Sequence, residues 1–108
     1  MKELTLYETI FLLAILHLPE NAYGVSIRRE VEKISGRRIP FGTVYSYLDQ
    51  LFKKGHVLKA FGAPTAARGG RSKIIYRISP AGKKALREAY RLQETVYHGL
   101  KQSVFEKA

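Results

Sequence analysis

The sequence predicts an α+β fold that is mainly helical, with its elements in the order helix, helix, helix, two strands, helix. Three observations predict this order. Apolar residues recur at helical spacing in three segments before residue 56. Two short β-like runs, HVLKAF and KIIYRI, then flank a Gly-rich segment. A long amphipathic stretch follows a Ser-Pro pair, which is typical of a helix start.

The first helix is predicted over residues 4–19, LTLYETIFLLAILHLP. Thr5 and Glu8 fit a capping box, in which a hydroxyl and a carboxylate each accept from a free backbone amide. The apolar run is too short to span a bilayer, and it lacks the basic leader and cleavage site of a signal peptide. Because apolar residues cover most of its surface, we expect this helix to be buried and to contribute to a subunit contact.

The second helix is predicted over residues 23–35, with Gly36 as its C-terminal cap. Its charged residues, Arg28, Arg29, Glu30, Glu32 and Lys33, are expected to form a largely solvated face. Its apolar stripe consists of Val25, Ile27, Val31 and Ile34. Arg37 and Arg38 follow in the connection to the third helix.

The third helix is predicted within residues 42–55, GTVYSYLDQLFKKG. Its buried side is expected to hold Val44, Leu48 and Leu51, with Tyr45 and Phe52 beside them. The opposite side is expected to carry Thr43, Ser46, Tyr47, Gln50 and Lys54. These side chains can donate to phosphates and read base edges. An ordinary polar helix surface would show the same residue types.

The hairpin is strongly basic and contains no acid. Residues 53–78 hold seven Lys and Arg residues and no Asp or Glu. The segment that links the strands, GAPTAARGGRS, is longer than a tight turn and therefore projects as a loop. Arg68 and Arg71 bracket two glycines in this segment, which makes the tip positively charged.

The last helix starts at Ser79-Pro80 and is predicted to continue to about Val104. At about 1.5 Å per residue, some 25 residues reach roughly 37 Å, which exceeds the diameter of a domain of this size. Its apolar seam cannot be buried entirely on its own chain, so a second subunit is expected. Gly99 is unfavourable in a helix interior, and we expect the last turns to fray or bend.

Composition limits the possible functions. The chain has 108 residues, 45% of them hydrophobic, which predicts one folded domain. Its net charge of +10 favours a polyanionic partner such as nucleic acid or an acidic membrane surface, although a solvated basic surface is the simpler alternative. Cysteine is absent, which excludes disulfides and thiol chemistry and suits the cytoplasm, where we expect the protein.

The order of elements is that of a winged helix-turn-helix domain, with a long C-terminal dimerisation helix added. We assign residues 1–79 to the DNA-binding domain and residues 80–108 to the dimerisation helix, packed as one unit with the first helix. In this geometry helix three enters the major groove. The hairpin, or wing, follows the backbone or enters a minor groove, where a carboxylate would be repelled by phosphates.

The sequence also resembles the PadR-like transcriptional regulators over almost its whole length, and in particular their short class with one C-terminal helix. The matching segments are YGVSI, GTVYSYLDQLFKKG, RSKIIYRIS and SPAGKKAL. The resemblance implies a homodimer that binds a palindromic operator and acts as a repressor. It places the dimer contacts on the first and last helices. We assign them to Leu6, Ile10, Leu13, Leu86, Ala89, Tyr90, Gln93, Val96, Tyr97, Leu100 and Val104.

The resemblance places the DNA-facing positions at Tyr23, Gly42, Thr43, Tyr45 and Tyr47, together with Arg68, Arg71 and Lys73 of the wing. To these we add Arg37, Arg38, Ser46, Gln50 and Lys54 from the basic connection and the polar helix face. One departure concerns Pro40-Phe41, where the family often has Ser-Pro. Since proline has no hydroxyl, either Thr43 or a backbone turn must start the recognition helix.

Other functions are less well supported by the residues. His17, His56 and His98 lie far apart and predict no metal site, and no catalytic motif or cofactor motif is present, so we expect no enzyme activity. Tyr7, Tyr90 and Tyr97 either pack in the dimer contact or line a cavity for a flat aromatic effector, as the resemblance implies. The alternatives to a sequence-specific regulator are a winged-helix protein-interaction module and a non-specific nucleic-acid-binding protein.

Overall fold

The computed structural model describes residues 3–64 and 72–105. Three helices come first: α1 (Leu6–Leu16), α2 (Gly24–Ser35) and α3 (Phe41–Lys53). The strands β1 (Val57–Pro64) and β2 (Ser72–Ile78) form an antiparallel hairpin, and α4 (Pro80–Leu100) ends in a π-helical turn at Lys101–Phe105. The predicted α+β fold, mainly helical and of the winged helix-turn-helix type, is confirmed.

Local sequence signals set most of the helix ends. In the predicted capping box of α1, the Glu8 amide donates to Thr5 Oγ1 (3.1 Å) and the Thr5 amide donates to Glu8 Oε1 (2.9 Å). Gly36 ends α2 in the left-handed conformation with φ 71°, which glycine adopts without strain. Pro40 precedes α3 with an extended backbone, so a backbone turn, and not Thr43, starts the recognition helix.

The core lies between the first three helices and the base of the hairpin. Its largest fully buried apolar side chains come from each of these elements: Phe11, Leu12, Ile27, Val31, Val44, Leu48, Leu51 and Val57. The amide of Tyr76 donates to the Ala22 carbonyl (2.7 Å), which fixes β2 to the connection between α1 and α2. The wing is therefore attached to the helical body by a backbone hydrogen bond as well as by packing.

Three apolar residues assigned to buried sides are in fact exposed. Val25 of α2 and Tyr45 and Phe52 of α3 all retain over a third of their surface in contact with solvent. The prediction failed because the buried stripe of α3 is narrow. Only Val44, Leu48 and Leu51 are fully enclosed, and Tyr45 and Phe52 flank that stripe on the side of the wing.

The start of α4 is tightly attached to the body. The Ser79 hydroxyl accepts from the Gly82 amide (2.9 Å) and donates to the Gly55 carbonyl (2.6 Å). Gly82 approaches the His56 carbonyl so closely that a Cβ there would lie 2.1 Å from its oxygen. Beyond Ala89 the described part of the helix is largely exposed, and within residues 3–64 and 72–105 there is no helix long and apolar enough to cross a membrane.

Candidate nucleic-acid interface

The outward side of α3 presents small and hydroxyl-bearing residues. Gly42, Thr43 and Ser46 are exposed, as predicted, on the side away from Val44 and Leu48. The acidic residue of this helix, Asp49, is also exposed and forms an ion pair with Lys53 (3.0 Å). This side can donate and accept hydrogen bonds, so it has the groups needed to contact base edges or phosphates in a nucleic-acid groove.

Three residues that were predicted on that polar side are turned toward α1 instead. The Tyr47 ring is half-buried and stacks on Phe11 with ring centroids 5.0 Å apart. Gln50 Nε2 and Lys54 Nζ each lie 2.6 Å from Glu8 Oε2. Positions 47, 50 and 54 form one stripe of the helix, and that stripe meets α1. Their assignment as DNA contacts stays a prediction, but their polar groups already have partners within the chain.

Glu8 is the centre of this contact. Its side chain is 0% exposed, although that of Lys54 remains 32% exposed. Burial alone would raise the pKa of Glu8, but hydrogen bonds from Lys54, the Thr5 backbone and Gln50, together with the charge of Lys54, hold that pKa below its ordinary value. A charged carboxylate therefore joins the first turn of α1 to the C-terminal half of α3. Sequence analysis had identified it only as a cap.

The N-terminus of α2, the recognition helix and the wing meet at one narrow cleft, lined by Tyr23, Gly24, Tyr45, Ile74 and Tyr76. A Cβ at Gly24 would lie 2.1 Å from the Tyr45 hydroxyl, so a larger residue there would displace the exposed Tyr45 ring from the cleft. Burial, with smaller contributions from Tyr45 and Asp49, raises the pKa of Tyr76.

The structure thus brings together two side chains that were predicted separately at the interface. Lys73 Nζ of the wing lies 4.0 Å from the centroid of the Tyr23 ring at the start of α2. Such a cation–π contact holds the ammonium group in place and leaves it able to donate.

The connection between α2 and α3 is held by two charged residues that sequence analysis had assigned to a solvated face. Arg28 Nε donates to the Ile39 carbonyl (2.7 Å), and Glu32 Oε2 accepts from the Ile39 amide (2.8 Å). This arrangement fixes the angle at which α3 leaves the turn. Arg37 and Arg38 are exposed in the same connection, as their predicted role requires.

The described part of the wing carries further cations. Lys59 Nζ of β1 lies 4.2 Å from the centroid of the Phe52 ring at the end of α3, so the wing and the recognition helix are in contact there. The predicted contacts Arg68 and Arg71 lie outside the described residues. Lys59 was not predicted at the interface, although its place in the acid-free segment could have indicated it.

The predicted dimer contacts divide into three groups by their exposure in the single chain. Ile10 and Ala89 are buried within their own chain, at 9% and 7% exposed, and their assignment to the dimer contact stays a prediction. Both lie at helix positions that face the core. An apolar pattern alone does not distinguish burial in the chain's own core from burial against a second subunit. Leu13, Leu86 and Gln93 are half-buried. The exposed members are Leu6, Tyr90, Val96, Tyr97, Leu100 and Val104.

The three tyrosines of the predicted effector pocket have separate surroundings in the single chain. Tyr7 lies near Tyr47, with ring centroids 6.0 Å apart. Tyr90 lines an open cavity of about 630 Å³ with Leu16 and Leu86, and its hydroxyl donates to Glu94 Oε2 (3.2 Å). Tyr97 is exposed further along α4. In residues 3–64 and 72–105 no group of three metal-binding side chains was found.

The sequence matches the family model described as "Transcriptional regulator PadR-like family" over residues 12–88. None of the curated proteins matches it significantly. Solved structures with the same fold include a transcriptional regulator from Clostridium thermocellum, with TM-score 0.72, 24% identity, and coverage of 91% of this chain and 89% of that one.

Two further solved structures belong to the same family by name. The PadR-like transcriptional regulator BC4206 from Bacillus cereus superposes with TM-score 0.73 at 18% identity, covering 93% of this chain and 91% of that one. A PadR family transcription regulator from Clostridium difficile R20291 gives TM-score 0.69 at 22% identity, with coverage of 91% and 98%.

Proposed function

Because the chain belongs to the PadR-like family of transcriptional regulators, we propose that this DNA-binding regulator acts as a homodimer on a palindromic operator and represses transcription from it. Residues 1–79 contact the double-stranded DNA, and residues 80–108 join the two subunits. The protein works in the cytoplasm and has no enzymatic role. A small aromatic effector held near Tyr7, Tyr90 and Tyr97 releases it from DNA.

The observation that carries this proposal is the convergence of three elements beside the exposed side of α3. The N-terminus of α2, the recognition helix and the wing line one cleft, and Lys73 lies against Tyr23 there. The cleft is lined by three tyrosines, Gly24 and Ile74. Helix three suits a major groove, and the acid-free wing suits the neighbouring phosphates.

The homodimer is supported by the apolar row that α4 leaves uncovered. Tyr90, Val96, Tyr97 and Leu100 are each more than 40% exposed, and Leu6 of α1 is 58% exposed. A row of this length is unusual on a monomer and typical of an interface between subunits. A two-fold dimer would present two recognition helices, which is why a palindromic site is expected.

The test begins with genome-wide mapping of binding sites, followed by gel-shift titration of the mapped sequence against random duplex. At 150 mM salt we expect affinity for the mapped sequence to be higher by about 10³-fold or more. Equal affinity for both duplexes, with steep salt dependence, would favour a non-specific coating protein. No binding to either would favour a protein-interaction module.

The wing is tested by the double variant R68A/R71A. It should weaken binding to every duplex and reduce the slope of log affinity against log salt by about one for each lost phosphate contact. The matched control is K83A/K84A, which removes the same charge from the start of α4. An R68A/R71A slope equal to that of the control would show that the wing does not reach the backbone.

A further inference from the structure

Phe61, near the outer end of β1, is the most exposed large apolar side chain in the described part of the chain, at 81%. A single exposed apolar residue is ordinary on a protein surface. The position of Phe61 is not ordinary, because it lies on the wing, between the helical body and the cationic tip segment. It is also absent from the positions that the family resemblance placed at DNA.

The pairing of the strands shows which way Phe61 faces. Phe61 lies opposite Ile74, and alternate residues of a strand share one face, so both lie on the face that carries Val57 and Tyr76 nearer the body. At the base of the hairpin this face packs on the core. Farther out, Ile74 borders the cleft beside Tyr23 and Tyr45 and is 40% exposed, and its cross-strand neighbour Phe61 is 81% exposed.

The backbone changes immediately after Phe61. From Phe61 to Pro64 the first strand advances three residues, while the second advances two, from Ile74 to Ser72. The extra residue makes a β-bulge, which increases the local twist and redirects nearby side chains. Gly62 packs under Ile75 at this point, where a Cβ would meet Ile75 at 3.2 Å. Phe61 is therefore held at the edge of a defined bend.

The charges around Phe61 indicate the kind of partner. Lys59 precedes it on the same face, and Lys73 precedes its cross-strand neighbour Ile74. No carboxylate occurs anywhere in residues 53–78. An exposed apolar ring on a hairpin whose charged side chains are all cations fits the minor groove of a duplex, where the cations meet phosphates and the ring meets stacked bases. The apolar row of α4 lies on another element, so the dimer contact does not require Phe61.

We propose that Phe61 is a wedge that inserts between adjacent base pairs from the minor groove and kinks the operator, with Ile74 packing beside it against the sugars. This inference rests on the proposed function. Apolar wedges of this kind unstack one step and bend the duplex by about 20–90° toward the major groove. Flexible pyrimidine–purine steps would be preferred at the insertion point, although no side chain reads their base edges there.

The experiment compares full-length wild type, F61A and L58A on the mapped operator. Leu58 is the matched control because it is an apolar β1 residue, 52% exposed, on the opposite face of the same hairpin. Bend angles are measured by energy transfer between dyes at the operator ends, and unstacking by 2-aminopurine fluorescence. For each variant we also measure the slope of log affinity against log salt, the thermal unfolding and, by ultracentrifugation, the oligomeric state.

We expect wild type and L58A to bend the operator by 20° or more and to raise the 2-aminopurine signal. F61A should bind roughly tenfold more weakly, which lies within the range for base–aromatic stacking, and the bend should be largely lost. Its salt slope should stay unchanged, because no phosphate contact is removed.

The proposal is overturned if F61A bends and binds like wild type, or if F61A instead changes the oligomeric state. If wild type binds a specific sequence and F61A behaves in the same way, the wedge proposal is contradicted and the proposed function is not. If wild type prefers no sequence, the proposed function is contradicted as well.

Discussion

Replacing Lys54 by methionine tests the role of the buried carboxylate. Methionine keeps the length and apolar stem of the side chain and removes the ammonium group that lies 2.6 Å from Glu8 Oε2. Breaking a buried ion pair by removing one partner costs about 3–5 kcal/mol when the remaining charge is left uncompensated. Here Gln50 and the Thr5 amide still donate to Glu8, and Lys54 itself is one-third exposed. We therefore expect the variant to lose about 2 kcal/mol of unfolding free energy at pH 7.

The loss should depend on pH, and its sign follows from Glu8. In wild type the pKa of Glu8 is lowered from 4.5, so its contribution to stability is present above pH 4.5 and is lost as the pH falls through the folded-state value. Without Lys54, burial is opposed by fewer hydrogen bonds and no adjacent charge, and the pKa of Glu8 rises. The difference in stability between the two proteins should therefore narrow as the pH falls from about 7 to about 3.

The assay is urea unfolding, monitored by circular dichroism at a fixed protein concentration and repeated at several pH values. The control is K53M, the same substitution one residue earlier, where the ion pair with Asp49 is exposed on both sides. It should change stability by less than about 1 kcal/mol. A K54M deficit that stays constant across this pH range would refute the coupling between Lys54 and Glu8.

Three further variants test other contacts. G82A should lower the free energy of unfolding by about 3 kcal/mol or more, because its Cβ would meet the His56 carbonyl. G99A, whose Cβ would lie in open space, should raise that free energy by up to about 1 kcal/mol. Equal melting temperatures for the two variants would contradict this expectation. S79A should cost about 1–2 kcal/mol in urea unfolding through loss of the α4 cap and the Gly55 hydrogen bond, and a neutral effect would show that water replaces the hydroxyl. The double variant V96D/L100D should sediment as a monomer, and a dimer in the ultracentrifuge would exclude this row as the interface.

The fold was predictable because its signals are local. Thr5 with Glu8, Gly36 and Ser79-Pro80 each set a helix end through contacts within a few residues, and the structure has the caps at those positions. The strands were harder to bound. The first strand continues three residues past HVLKAF because a β-bulge allows the strand pairing to extend. No residue pattern in the sequence predicts a bulge of this kind.

The candidate site was predictable only as a set of residue types on a helix surface. The pattern placed Tyr47, Gln50 and Lys54 away from Val44, but a helical wheel does not show how far a neighbouring helix reaches around the side. In the structure α1 covers that flank and supplies Glu8 as the partner. One signal was available: Glu8 is the single ionisable acid in an otherwise apolar helix. A buried acid needs a donor elsewhere in the chain.

The free energies of the two possible ion pairs also indicate which partner the Lys54 ammonium group has when DNA is bound. Moving its ammonium group to a phosphate would gain an ion pair at a hydrated surface, which contributes about 1 kcal/mol or less. The same movement would leave Glu8 buried without its charged partner, at a cost of about 2 kcal/mol or more. We therefore expect Lys54 to stay with Glu8 when DNA is bound, and to support DNA binding by holding the C-terminal half of α3 against α1. On this expectation, the exposed hydroxyls at the start of α3 and the cations of the wing would make the predicted contacts.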